Sequence, residues 1–151
     1  MRRIAVLDAP SNLGLRPPTP TATPGCYKAP GALRDHGLIG RLGARDAGCL
    51  TPPRYDPGDW RPGDGVCHAS SIAVYSLALA ERIEAMIDAG EFPLVLGGDC
   101  SILLGSALAM NRLGESLAGG SAWCSSTGTP TSAIRATPRT WVPRPGRIWR
   151  W

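Results

Sequence analysis

No run in this chain approaches the roughly 20 consecutive apolar residues that a membrane-spanning helix requires, which excludes a helical transmembrane reading. Met1-Arg2-Arg3 leads directly into a short apolar stretch, too brief for the apolar segment of a secretory leader. The cysteines Cys26, Cys49, Cys67, Cys100 and Cys124 form an odd set without a C-x-x-C pair. That pattern excludes a dithiol redox motif, disfavours a disulfide framework and points to a reduced, cytoplasmic setting. There is no internal repeat and no heptad. Nor does a Gly-x-Gly-x-x-Gly loop follow the first apolar run: Pro10-Ser11-Asn12-Leu13-Gly14-Leu15 stands there, which argues against a dinucleotide-binding domain.

Charge of one sign is missing from most of the chain as well. The formal net charge is +4, yet up to Leu113 the 11 Lys and Arg are matched by 11 Asp and Glu. The excess lies wholly in Arg135, Arg139, Arg144, Arg147 and Arg150, opposed by Glu115. A basic surface that binds nucleic acid is therefore not expected of the folded part. Composition breaks at the same place: from Ala118 onward Leu, Lys and acidic residues disappear, and four of the five Trp fall in this tail. The domain organisation expected is one α/β unit over residues 1–117 and a non-native, disordered tail over 118–151, rich in Pro, Ser, Thr and Arg.

What is present before the tail alternates between short apolar runs and amphipathic stretches. Ile4 to Leu7 suits a buried parallel strand opening into a loop at Asp8-Ala9-Pro10. Asn12 to Pro30, dense in Pro and Gly, reads as a long irregular loop of the kind that often carries function. Pro30 and the later Gly37 bracket a short helix near Gly31 to Leu38. Ala44 to Leu50 is a weaker strand, and Tyr55 to Gly65 a turn-rich connection.

Ser70 or Ser71 is placed to cap a long helix with Ile72, Tyr75, Leu79, Ile83, Met86 and Ile87 on its apolar face, ended by Gly90. Phe92 to Leu96 is a third buried strand, Gly97-Gly98-Asp99 a turn, and Ser101 the cap of a helix through Ile102, Leu104, Leu108 and Met110. The alternation predicts an α/β fold with a parallel sheet.

The most informative string is Leu94-Val95-Leu96-Gly97-Gly98-Asp99-Cys100-Ser101. A buried strand turning through two glycines into a helix places Asp99, Cys100 and Ser101 beyond the carboxyl end of the sheet, where open α/β sheets bind ligands. The string resembles the first metal-binding signature of the ureohydrolase superfamily (arginase, agmatinase and formiminoglutamase), Gly-Gly-Asp-His-Ser, with Cys100 where the metal-binding His stands. Val6 to Pro10 resembles the family's first strand and loop. Gly25 through Ala29-Pro30 to Leu33-Arg34 and Gly37-Leu38 resembles its Gly-Pro-x-x-Leu-Arg segment, so the likeness covers about residues 4 to 113.

The resemblance implies a partial three-layer α/β/α fold of the arginase type, incomplete in this chain. It also implies a hydrolase of linear amidine or guanidino C–N bonds using two manganese ions, a small guanidino or amidine substrate, and homo-oligomeric assembly of the intact protein. Cys100 becomes the candidate metal ligand and Gly97, Gly98, Asp99 and Ser101 line the site. A thiolate is a softer ligand than manganese prefers, so zinc or iron enters as an alternative. Free cysteine is also commonly a small buried packing residue, which stays open for Cys100. His36 and His68 fall in no family motif and suit solvated or capping roles. Arg34 suits a structural one, and Cys26 and Cys67 stand at no metal-ligand spacing.

The family's further ligands, an Asp-x-His-x-Asp motif after the next strand and a later Asp-x-Asp, are absent. Read from the last base of the Gly120 codon, however, Ser121 to Ser132 can encode Leu-Gly-Leu-Val-Phe-Ile-Asp-Gly-His-Thr-Asp-Phe, a strand followed by that very motif, and Ala133 to Pro138 continue as Arg-His-Pro-Gly-Asn-Ser. A shifted reading frame is expected to account for the tail, with a genuinely divergent tail as the other reading, and to leave this chain inactive. The alternative is a non-catalytic remnant or interaction fragment of the same fold that binds no metal.

Overall fold

A computed structural model describes residues 2–19, 22–56 and 58–116. The domain boundary expected at 117 and the tail beyond it lie outside the described residues.

Three strands, β1 (Ile4–Ala9), β2 (Arg45–Cys49) and β3 (Phe92–Gly97), form one parallel sheet in the order β2-β1-β3. β1 and β3 pair without interruption from Ile4 opposite Phe92 to Ala9 opposite Gly97. The register of β1 with β2 shifts between Val6 and Asp8. The parallel sheet inferred from the alternating pattern is thus observed, with β1 central.

The residues of β1 divide between two faces, as a strand requires. Ala5, Leu7 and Ala9, all 0% exposed, join Tyr75, Leu79, Ala80, Ile83 and Met86 of α3 (Ala69–Asp88) and Ala109 of α4 (Ile102–Ser116) in the main core. On the opposite face Asp8 meets Arg34 of α1 (Ala29–Asp35) at 2.6 Å. Helices therefore contact both faces of the sheet, as the three-layer expectation requires. α3 and α4 pack closely enough that a Cβ on Gly105 would lie 2.7 Å from the Ser76 carbonyl oxygen.

Several local expectations are corrected. The helix anticipated near Gly31 to Leu38 begins earlier, after a 3-10 turn at Gly25–Lys28, and stops at Asp35. Gly37, at φ 72°, takes the left-handed conformation that ends α1 and starts α2 (Leu38–Leu42). The N-cap position of the long helix is held not by Ser70 or Ser71 but by His68, at φ 57°, with no side-chain cap bond, and its carbonyl accepts the helix's first bond from the Ile72 N–H at 2.8 Å. Both serines lie inside the first turn.

β3 is less buried than its apolar run implied: Phe92 is 53% exposed and only Leu96 is buried. The Phe92 N–H bonds to the Arg3 carbonyl at 2.8 Å and that of Gly98 to Ala9 at 3.4 Å, so the even-numbered residues turn their backbone toward β1. The odd-numbered residues turn theirs outward, to an edge without a partner strand among the described residues. Pro93, which has no N–H to offer, sits on that outer edge, where proline is tolerated.

Candidate active site

The strand order β2-β1-β3 makes the carboxyl ends of β1 and β3 the switch point of the sheet, the place where successive connections diverge and ligands collect. The two loops leaving that point are bound together by Asp99. Its Oδ2 accepts from the Ser11 hydroxyl at 3.0 Å and the Gly14 N–H at 3.1 Å, and its Oδ1 from the Ser101 N–H at 2.6 Å. Asp99 is 5% exposed and Ser11 0%. Burial of the carboxylate is offset by these three donors, one from a hydroxyl and two from the backbone.

The paired glycines make this closeness sterically feasible. A Cβ on Gly98 would fall 1.8 Å from the Ser11 carbonyl oxygen, and one on Gly97 2.1 Å from the end of the Ile102 side chain. With the glycines in place, the Asp99 N–H reaches the Ser11 carbonyl at 3.0 Å. Gly14 is held similarly, its would-be Cβ 3.0 Å from Asp99 Oδ1. Gly97 and Gly98 contribute to the site by packing its walls.

Cys100 follows this knot directly and is exposed, so it is not the buried packing residue that free cysteine commonly is. Ser101 is half-buried, with its hydroxyl 3.3 Å from that of Ser11. Cys26, unassigned from sequence, donates to the Ser11 carbonyl across 3.5 Å. Burial raises its thiol pKa, and the negative charge of Asp99 raises it further. A cysteine inside an irregular Pro-Gly loop carries no spacing signal, which is why only the fold reveals this position.

His68 supports the site from one layer out. Its Nδ1 lies 2.9 Å from the Leu13 carbonyl and its Nε2 2.9 Å from the Asp56 carbonyl, while its ring lies 4.8 Å from that of Tyr55. It stands at the N-cap position of α3 without a side-chain cap bond, and its ring links the loop after β1 to the loop after β2. His36 is an exposed residue at the end of α1. Arg34 is structural: it bonds Asp8 through Nε at 2.6 Å and Asp46 through both terminal nitrogens at 2.7 and 2.8 Å. The guanidinium holds the Asp46 carboxyl down at about 2.

No group of three His, Cys, Asp or Glu able to hold a metal ion occurs among the described residues. Both Asp99 oxygens are occupied by donors, and the nearby thiols of Cys26 and Cys100 are too few to hold a metal ion. The described residues alone do not fit a metal ion.

No protein-family model matches the chain. Among curated proteins, the formimidoylglutamase of Aeromonas salmonicida is 37% identical over 91 residues, spanning 54% of this chain and 27% of that protein. The arginase of Staphylococcus aureus is 31% identical over 122 residues, spanning 74% of this chain and 37% of that protein. Among solved structures, the arginase of Bacillus caldovelox superposes with a TM-score of 0.64 at 25% identity, over 75% of this chain and 38% of its own. That of Bacillus subtilis gives 0.60 at 27% identity, over 75% and 36%.

The chain belongs to the ureohydrolase superfamily as an amino-terminal part. The α/β fold is arginase-like and partial: this ureohydrolase part spans 27% and 37% of the length of those two curated relatives. No helix among the described residues is long and apolar enough to cross a membrane.

Proposed function

We propose that the chain is the amino-terminal portion of an arginase-type metal-dependent hydrolase that cleaves the C–N bond of a small guanidino or amidine compound. It supplies one corner of the site and is inactive by itself. The observation that carries this reading is the crevice at the ends of β1 and β3. There Asp99, held by three donors, fixes the turn just before the exposed Cys100, which by the likeness of Gly97-Gly98-Asp99-Cys100-Ser101 to the family signature corresponds to its first metal ligand. In this reading Asp99 is a positioning residue, and Cys100 is the ligand. Thiolate favours zinc or iron over the manganese that the family resemblance implies. Further ligands are assigned to the Asp-Gly-His-Thr-Asp that a shifted frame recovers from Ser126 to Thr131, outside the described residues, and the later Asp-x-Asp of the family is not among them.

The relatives named formimidoylglutamase and arginase support a substrate carrying an amidine or guanidino carbon. The odd cysteine set without a C-x-x-C pair supports a reduced cytoplasmic setting, and homo-oligomeric assembly is assigned to the intact protein.

The test compares the 151-residue chain with the product of the gene restored in frame at the Gly120 codon and read on to its next stop. Each is supplied with manganese, zinc or ferrous iron and assayed for urea or ammonia release from arginine, agmatine and formiminoglutamate. The expected result is turnover by the restored chain alone. Release by the 151-residue chain, or none by a folded restored chain with any of the three substrates, contradicts the proposal.

A further inference from the structure

On the other side of β1 from the Cys100 corner, the loops leaving β1 and β2 border an open, shallow cleft of about 360 Å³. It lies beyond the carboxyl ends of two parallel strands and falls at the small end of the range for small-molecule sites. Nothing in the hydrolase reading employs it.

Its lining has a consistent chemistry. Arg54 is its charged residue, and no carboxylate lines it. Arg34, Arg45 and Arg112 are each paired with acidic side chains, whereas the Arg54 guanidinium has no ion pair or hydrogen bond among the described residues. Lys28 places its Nζ 5.8 Å from the centre of the Tyr27 ring, which forms one wall, so a second cation stands beside the cleft. The hydroxyls of Tyr27, Thr23 and Thr51 are likewise without intramolecular partners among the described residues and offer donors.

The remaining wall is apolar and stiff. Pro10, Pro52 and Pro53 have fixed φ, and the Asn12 side chain is tied to the Pro24 carbonyl at 3.3 Å. The backbone of that wall loses little freedom when the cleft is filled.

We infer that this cleft binds a small carboxylate on a short aliphatic stem, with Arg54 gripping the carboxylate, Tyr27 and the threonine hydroxyls completing its hydrogen bonds, and the stem lying on the prolines. A planar guanidinium suits a carboxylate bidentately, and the apolar wall distinguishes such a ligand from a bare inorganic anion. The inference stands apart from the metal corner: Cys100 takes no part in it.

The test is isothermal titration calorimetry of the full 151-residue chain with sodium glutarate at constant ionic strength. The expected result is saturable binding at one site per chain, weakened about tenfold or more by Arg54→Gln, the size of one lost charge-assisted contact. Tyr27→Phe should weaken it severalfold, and Cys100→Ser should leave it unchanged. Arg54 is exposed and has no partner among the described residues, so its replacement leaves the fold intact, which the far-ultraviolet dichroism of the variant checks. Three results would overturn the inference: no saturable binding, undiminished binding by Arg54→Gln, or equal binding of neutral glutaramide or of inorganic phosphate.

Discussion

Replacing Asp99 by Asn exchanges one oxygen for an NH2 group of nearly the same size, which isolates the electrostatic part of the knot between the β1 and β3 loops. Whichever way the new amide turns, its NH2 faces a backbone N–H: that of Gly14 on one side, now 3.1 Å from Oδ2, or that of Ser101 on the other, now 2.6 Å from Oδ1. The Ser11 hydroxyl can reverse its role from donor to acceptor, but the backbone groups cannot. One N–H is thus left facing a donor, at a loss of about 1 to 3 kcal/mol. The surviving bonds lose the charge that roughly doubles their strength. Together we expect about 2 to 4 kcal/mol, a large share of the roughly 5 to 15 kcal/mol that holds a domain folded. Urea unfolding followed by circular dichroism measures it, and a double-mutant cycle with Ser11→Ala should give a coupling of about 0.5 to 3 kcal/mol because the two side chains share a bond. An Asp99→Asn chain whose midpoint matches that of the parent would refute the assignment of Asp99 as the tie between the loops.

Three further outcomes follow from the same geometry. Gly98→Ala should lose more than about 3 kcal/mol in thermal unfolding, because its Cβ meets a backbone oxygen at 1.8 Å, whereas Gly97→Ala meets only the mobile end of Ile102 and should lose less. Asp46 is held at about 2 by Arg34, so its contribution is fully present above the ordinary carboxylate value near 4 and is lost as pH falls from there toward 2. With the Asp46 side chain 52% exposed this amounts to under about 1 kcal/mol, seen as a difference between parent and Asp46→Asn that closes on acidification through that window. Phe92→Lys, at a position 53% exposed on the open edge of the sheet, should reduce concentration-dependent association in sedimentation velocity while changing stability by less than about 0.5 kcal/mol.

Sequence periodicity revealed the features that follow from burial. The apolar spacing of Ile72, Tyr75, Leu79, Ile83 and Met86 identified the face of α3 that is buried, and the short aliphatic runs identified β1 and β3. The paired glycines before Asp99 marked the turn because only glycine admits such close backbone approach. The exposure of β3 was not legible, since an apolar run at a sheet edge reads the same as one in its centre. The roles of Ser11, Gly14 and Cys26 were hidden for another reason: each depends on contacts across 85 or more residues in sequence or inside a loop without periodicity. His68 looked like a solvated or capping residue, and its bonds to the Leu13 and Asp56 carbonyls exist only because two loops fold toward each other.

In the proposed function Cys100 is a metal ligand of a ureohydrolase site whose next ligands lie in the shifted frame. The most direct test of that assignment is the absorption spectrum of the frame-restored chain loaded with cobalt(II). The expected result is stoichiometric cobalt with a thiolate-to-metal charge-transfer band that disappears in Cys100→Ser. Failure of the folded restored chain to bind cobalt, or a band that persists unchanged in Cys100→Ser, would contradict it.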